Sequence, residues 1–367
     1  MSLAPARAAW RPRHPGAPFP ALAHAASTAA RGDRRTARPA LPARATAHAW
    51  AELLRLPAVF TVPGDVLAGT AAVGARTGRA TLFAVGASVC LYEAGMALND
   101  WADRDEDAVA RPHRPLPSGR IHPQTAFVAA ATLTAAGVAL AACAGRRALT
   151  VAAPLAATVW AYDLKLKHTP AGPVAMAAAR GLDLLLGAAA ADRPLRPALA
   201  PATALACHTS AVTLVSRREA EGGSVTAPLA ALAATAAVTG TLLRTGGHRA
   251  RGVRAADTGH AMRGTVPPAP RGRGAVRGGH LAGPVGTGEV VRAALAAGYT
   301  ATVARPLLHA ALNPSPALTQ RAVGAGIRAT VCLQAALAAR AGAPGTGLLT
   351  AALAPLAARL ARKVSPT

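Results

Sequence analysis

From Leu53 onward the chain alternates apolar segments with short polar connections, and most of the segments approach the ~20 residues that cross a hydrocarbon core. The pattern predicts helices near 54–76, 80–100, 123–143, 147–163, 170–191, 198–216, 225–243, 291–311 and 322–341. A shorter one, 346–361, lies in the interface or packs at the end. Alanine dominates these stretches, and small side chains let neighbouring backbones approach closely. They lack the polar outer face a soluble helix needs. The expected architecture is all-α, a polytopic membrane bundle of about nine transmembrane helices.

The connections differ in kind. After the second, fourth and sixth helices come the polar stretches 101–122, 163–169 and 217–224; after the first, third and fifth come little more than Arg76 and Arg79, Arg146 and Arg147, or Asp192 to Arg196. The candidate chemistry therefore opens on one side. That side also carries the basic tail, residues 1–47, where Arg7, Arg11, Arg13, Arg31, Arg34, Arg35, Arg38 and Arg44 stand among Ala and Pro with no apolar face to offset ordering. Pro39 to Thr46 supply no secretory apolar region. Lys/Arg bias makes the loaded side cytoplasmic, in a bacterial inner membrane. Against this, the Gly/Arg/Pro stretch 244–290 would lie outside, although long loops follow the rule less strictly. It reads as a flexible insertion, either without function or binding anionic headgroups. Residues 48–243 then form the first seven helices with the site, and 291–367 the last helices of the same bundle.

Composition narrows the class. The 367 residues are 52% hydrophobic and 15% charged, oilier than a soluble domain. A net charge of +24 alone would admit nucleic acid, but aromatic residues are only 3% and are not interleaved with the arginines, which excludes a stacking surface. Cys90, Cys143, Cys207 and Cys332 stand singly in or beside apolar runs, without metal-ligand spacing, and read as small buried hydrophobes.

The chemistry concentrates at Leu98-Asn99-Asp100-Trp101-Ala102-Asp103-Arg104-Asp105-Glu106-Asp107. At about 100° per residue, Asn99, Asp100, Asp103 and Asp107 share an arc of roughly 100°. Carboxylates crowded at the end of a membrane-length run are costly, and a divalent cation relieves that cost. Hard oxygen donors suit Mg²⁺, which completes its shell with water and substrate phosphate. The plain alternative is a solvated acidic helix end balanced by Arg104, Arg111 and Arg114.

Asn99, Asp100, Asp103 and Asp107 match the NDxxDxxxD signature of the UbiA superfamily of intramembrane prenyltransferases. The run Arg111-Pro112-His113-Arg114-Pro115-Leu116-Pro117-Ser118-Gly119-Arg120 resembles that family's continuation. Gly95-Met96-Ala97-Leu98-Asn99-Asp100, Tyr162-Asp163-Leu164-Lys165-Leu166-Lys167 and the ending Ser365-Pro366-Thr367 look most like its EboC-like bacterial branch. The resemblance implies Mg²⁺ on Asp100, Asp103 and Asp107, oriented by Asn99, and a polyprenyl diphosphate donor whose tail lies among the helices. The prenyl group would pass to an unidentified small-molecule or lipid acceptor, aromatic or otherwise hydroxylated, within the membrane lipids. Arg111, Arg114, Lys165 and Lys167 would hold the diphosphate, and Tyr162 would shield an allylic cation through its ring face. The lysines also fit plain interface anchors. Arg180 and Asp183, at i,i+3 spacing inside an apolar helix, are either a structural pair or a substrate contact. Glu93, on roughly the stripe of Asp100, has no visible partner.

At the family's second acidic motif, DxxxD, this chain departs: Glu219 stands for the first aspartate and Gly223 for the second, with Glu221 between. A second Mg²⁺ would sit on Glu219 and Glu221, or one metal would work with Arg217 or Arg218 as a charge clamp. The departure also fits a catalytically reduced UbiA-like protein that binds, transports or scaffolds lipid diphosphates.

Overall fold

The structure, a computed structural model, describes residues 43–218, 224–244, 286–356 and 359. The expected tail up to residue 42, Glu219 and Glu221, and residues 245–285 of the expected flexible stretch lie outside the described residues.

The first expected span, 54–76, is broken into pieces. The chain forms α1 (Ala43–Leu53), which begins inside the stretch expected as tail, then α2 (Leu56–Val59) and α3 (Pro63–Ala72). Arg55, between α1 and α2, sits at φ 48, a left-handed conformation that no continuing helix contains. Pro57 and Pro63 each occupy a first helical turn, where the missing N–H costs nothing. From this break the Arg55 side chain reaches one of the acids described below.

Next come α4 (Arg79–Ala102), α5 (Arg104–Ala110), α6 (Pro123–Ala144) and α7 (Arg146–Ala161), followed by a π-helical turn, Tyr162–Leu166. The rest is α8 (Gly172–Ala190), α9 (Arg196–Ser216), α10 (Thr226–Leu243), α11 (Thr287–Leu312), α12 (Pro316–Arg340) and α13 (Pro344–Ala351). Six of these, α4, α6, α8, α9, α10 and α12, are long and apolar enough to cross a membrane, and the protein is an integral membrane protein. α3 and α7, at 10 and 16 residues, are shorter, and α11 carries Glu289, Arg292 and Arg305.

Neighbouring helices close a ring in the order α3, α4, α6, α7, α8, α9, α10, α11, α12 and back to α3, while α3 and α8 also meet across it. Three apolar cores are found among the described residues. One joins α3 and α8 to α9, α10, α11 and α12; a second joins α4, α6, α7 and α8, with Val66 of α3; the third packs α1 against α4, α6 and the loop after α5. The α3–α8 crossing is possible because glycine faces backbone on both sides. A Cβ on Gly69 would lie 1.8 Å from the Leu184 carbonyl oxygen, and one on Gly187 would lie 2.1 Å from that of Val66. Thr70 Oγ1 adds a hydrogen bond to the Gly187 carbonyl at 3.1 Å. This close approach sets Asp65 of α3 against Arg180 of α8.

His208 joins α9, α11 and α12. Its ring nitrogens lie 3.1 Å from the Tyr299 hydroxyl and 3.1 Å from the Gly326 carbonyl oxygen. A carbonyl only accepts, so Nε2 carries the proton and Nδ1 accepts from Tyr299. The cysteines correct their expected burial: Cys143 and Cys207 are exposed, and Cys90 and Cys332 are half-buried. The outer face of a membrane helix is as apolar as its inner face, so a thiol fits either.

Candidate active site

α4 ends at Ala102 and α5 begins at Arg104, with Asp103 capping both, yet the helical spacing is kept across the joint. Asp103 N donates to the Asn99 carbonyl at 2.9 Å and Asp107 N to that of Asp103 at 2.8 Å. The amide and the carboxylates therefore stay on one stripe.

Each carboxylate meets cations. Asp100, 5% exposed, lies 3.3 Å from Arg55 Nη2 and 3.5 Å from Arg114 Nη1. Asp107, 3% exposed, accepts from the same Arg114 nitrogen at 2.6 Å, with Arg111 at 3.5 Å. Asp103 is bonded to Lys167, and His168 Nε2 lies 3.8 Å from it. Asn99 Nδ2 donates to Asp163 Oδ1 at 3.2 Å. The carboxylates thus divide, Asp100 and Asp107 around Arg114 and Asp103 towards Lys167. Among the described residues, the three ligating groups that lie within 4.8 Å of one another are Asp103, Glu106 and His168.

The loop after α5 explains its own sequence. Ser118 donates from both Oγ, at 2.6 Å, and N, at 3.0 Å, to the Arg114 carbonyl; Gly119 takes φ 72. Arg120 then reaches three acceptors: Glu52 Oε2 of α1 at 2.6 Å, the His113 carbonyl at 2.6 Å and Ser118 Oγ at 3.0 Å. Arg120 is the staple that holds the Arg114 loop to α1.

Two cavities flank this array. A groove of about 390 Å³ includes Asp103, Glu106, Asp163, Lys167 and His168. A deeper cavity of about 230 Å³ between α4, α7, the π-turn and α8 has polar groups at two ends, Asn99 and Asp163 at one and Ser88 and Asp183 at the other, with Leu91, Met96, Leu155, Val159 and Met176 on its walls. Tyr162 lines it too. Asp163 belongs to both cavities, and the π-turn is what points it inward: Asp163 is 4% exposed whereas Lys165, two residues on, is exposed.

Other expected residues fall as follows. Lys165 has no contact with the acids among the described residues, while the Lys167 side chain is only 9% exposed. Arg180 pairs with Asp65 at 3.0 Å, and Asp183 accepts from Ser88 Oγ at 2.7 Å, so the i,i+3 neighbours take partners on other helices. Asp65 also accepts from Gln334 Nε2 at 2.6 Å. Arg217 donates to the Thr169 carbonyl, tying the end of α9 to the loop after the π-turn. Arg218 is exposed and lines a wide groove of about 900 Å³ between α9 and α10. Sequence reasoning missed Arg55, Asp65 and Gln334 and gave Arg120, though part of the Arg111–Arg120 run, no role of its own; an aspartate inside an apolar run was the signal available for Asp65.

A family model described as the UbiA prenyltransferase family matches residues 56–246, just over half of the chain. The chain belongs to the UbiA prenyltransferase family. The chain is 36% identical over 130 residues to a digeranylgeranylglyceryl phosphate synthase of Methanopyrus kandleri, covering 35% of this chain and 48% of that protein. It is 33% identical over 157 residues to the enzyme of the same name from Natronomonas pharaonis, covering 42% and 55%. The chain thus spans about half the length of these relatives. Its fold resembles the apo structure of a UbiA homolog from Aeropyrum pernix K1, with a TM-score of 0.52 and 19% identity, over 76% of this chain and 96% of that one.

Proposed function

We propose that this UbiA-family chain transfers a prenyl group from an isoprenoid diphosphate to an acceptor within the membrane, with Mg²⁺ held by Asp100, Asp103 and Asp107 and oriented by Asn99. The supporting observation is the meeting of the acidic stripe with Arg55, Arg114 and Lys167 beside the cavities that share Asp163. The donor chemistry fits the ion, since the carboxylate oxygens of the stripe are hard ligands and Asp103, at 20% exposure, stands at an open groove; Asp100 and Asp107 would join it by leaving Arg114. When bound, the metal would neutralise charge building on the diphosphate.

The chain's own residues do the rest. Arg114 and Lys167, which now rest on carboxylates, would turn to the diphosphate oxygens and stabilise the leaving group. Asn99 donates to Asp163, the residue that lines both cavities. Tyr162 and the apolar walls would cover the loosened prenyl carbon and keep water away from it. An EboC-like placement, a bacterial inner membrane and a cytoplasm-facing site belong to the same proposal. They are supported by the motifs around Asn99 and Tyr162 and by the Lys/Arg bias.

The test uses the full chain in membranes with a labelled prenyl diphosphate. Mg²⁺-dependent transfer that falls by about 10² or more in Asp100→Ala supports the proposal. Donor binding without diphosphate release favours the binder or transporter reading instead.

A further inference from the structure

The exposed face of the α11–α12 hairpin carries charge that the acidic site leaves unused. Arg321 and Arg328 are exposed and two helical turns apart on α12, so they share a face. Arg305 is exposed on α11, which packs along α12 and joins it through residues 313–315. Counted from that connection at about 1.5 Å per residue, Arg321 stands about 7 Å along its helix, Arg305 about 10 Å and Arg328 about 18 Å. Arg328 is drawn back towards the level of the other two. Its Nη1 would lie 3.2 Å from a Cβ placed on Gly324, so the side chain runs one turn towards the start of α12, over a notch that only glycine leaves open. Among the described residues no hydrogen bond or ion pair reaches any of the three guanidinium groups.

The surroundings are those of a surface that meets lipid. α12 is long and apolar enough to cross a membrane, and exposed Leu308 and Ile327 stand among the arginines. A cation at this depth in a spanning helix calls for a counter-charge. We propose that Arg305, Arg321 and Arg328 bind the phosphate of an anionic phospholipid, whose acyl chains run on past Ile327. Charge and depth together decide the occupant. A free phosphate ion would have to leave water for a face lined by Leu308 and Ile327, whereas a lipid phosphate already lies at the membrane interface, within reach of arginines that extend towards it. A zwitterionic head brings its own cation against the three arginines; an anionic head does not.

The experiment titrates the full-length protein in detergent with phosphatidylglycerol or with phosphatidylcholine of the same acyl chains, and native mass spectrometry gives the lipid-bound fraction. The wild type should bind phosphatidylglycerol at least fivefold more tightly than phosphatidylcholine. Arg321→Gln combined with Arg328→Gln should weaken phosphatidylglycerol binding about twentyfold, or about fivefold per arginine, and leave phosphatidylcholine binding unchanged. Arg305→Gln, on the other helix, should weaken it about fivefold and supplies the measurement should the double variant not fold. Equal affinity of the wild type for the two lipids, phosphatidylglycerol binding that all these variants retain, or an equal loss of both lipids overturns the proposal. A homodimer in lipid-free detergent that the double variant disperses assigns the face to a second copy and overturns it too. No prenyl substrate enters the titration, so its outcome is independent of the transfer reading.

Discussion

Arg120 never touches the acidic stripe, yet removing it should loosen the site. Its guanidinium bonds Glu52, the His113 carbonyl and Ser118 Oγ, and Ser118 in turn holds the Arg114 backbone. The Glu52 pair is 28% exposed on each side, so it is worth about 1 kcal/mol after solvent screening. Two further hydrogen bonds at about 1 kcal/mol each bring the loss in Arg120→Ala to about 3 kcal/mol. For a chain of this size that is about 5 °C in Tm. A displacement of Arg114 costing about 1.4 kcal/mol of transition-state stabilisation would lower kcat/KM about tenfold. Thermal melting in detergent and steady-state diphosphate release measure the two effects. Arg120→Lys keeps the charge near Glu52 but one ammonium does not reproduce the fork across three acceptors, so it should recover less than half of either loss. An unchanged Tm in Arg120→Ala, or full recovery in Arg120→Lys, would refute the staple.

Gln334→Leu removes the donor to both Asp65 Oδ1 and the Thr61 carbonyl, each at 2.6 Å and fully buried on the Gln334 side; it should cost about 2–3 kcal/mol, seen as a lower Tm. Gly187→Val sets side-chain atoms against the Val66 backbone, and separating α3 from α8 should cost about 3 kcal/mol or more, with protease sensitivity rising at the α2–α3 turn. Tyr299→Phe leaves His208 Nδ1 without its donor and should lower stability by about 1–2 kcal/mol in the same melting assay, without altering the Mg²⁺ dependence of turnover.

Much of the bundle was legible because long apolar runs bounded by short polar or proline-containing connections leave little freedom: α6, α8, α9 and α10 start and stop within two residues of the expected limits. The acidic stripe was legible for a similar local reason, since three- and four-residue spacing survives the α4–α5 joint through its backbone hydrogen bonds. What could not be read was tertiary. Nothing local says that Arg180 prefers Asp65, more than a hundred residues away, over Asp183 three residues on; the glycine contact of α3 with α8 decides it. The break at Arg55 was likewise hidden, because Pro57 and Pro63 are compatible with either a kinked helix or separate ones. The division of the three carboxylates between Arg114 and Lys167 depends on where two loops return, which spacing along one helix does not determine.

The central claim is that the stripe grips a metal-bound diphosphate, and Asp103 at the groove is where it is most exposed to test. The direct measurement is diphosphate release from a labelled prenyl diphosphate across a Mg²⁺ titration, in the wild type and in Asp103→Asn. The account predicts saturable Mg²⁺ dependence in the wild type and a loss of about 10² or more in the variant. Release that ignores Mg²⁺, or that Asp103→Asn leaves intact, would contradict it.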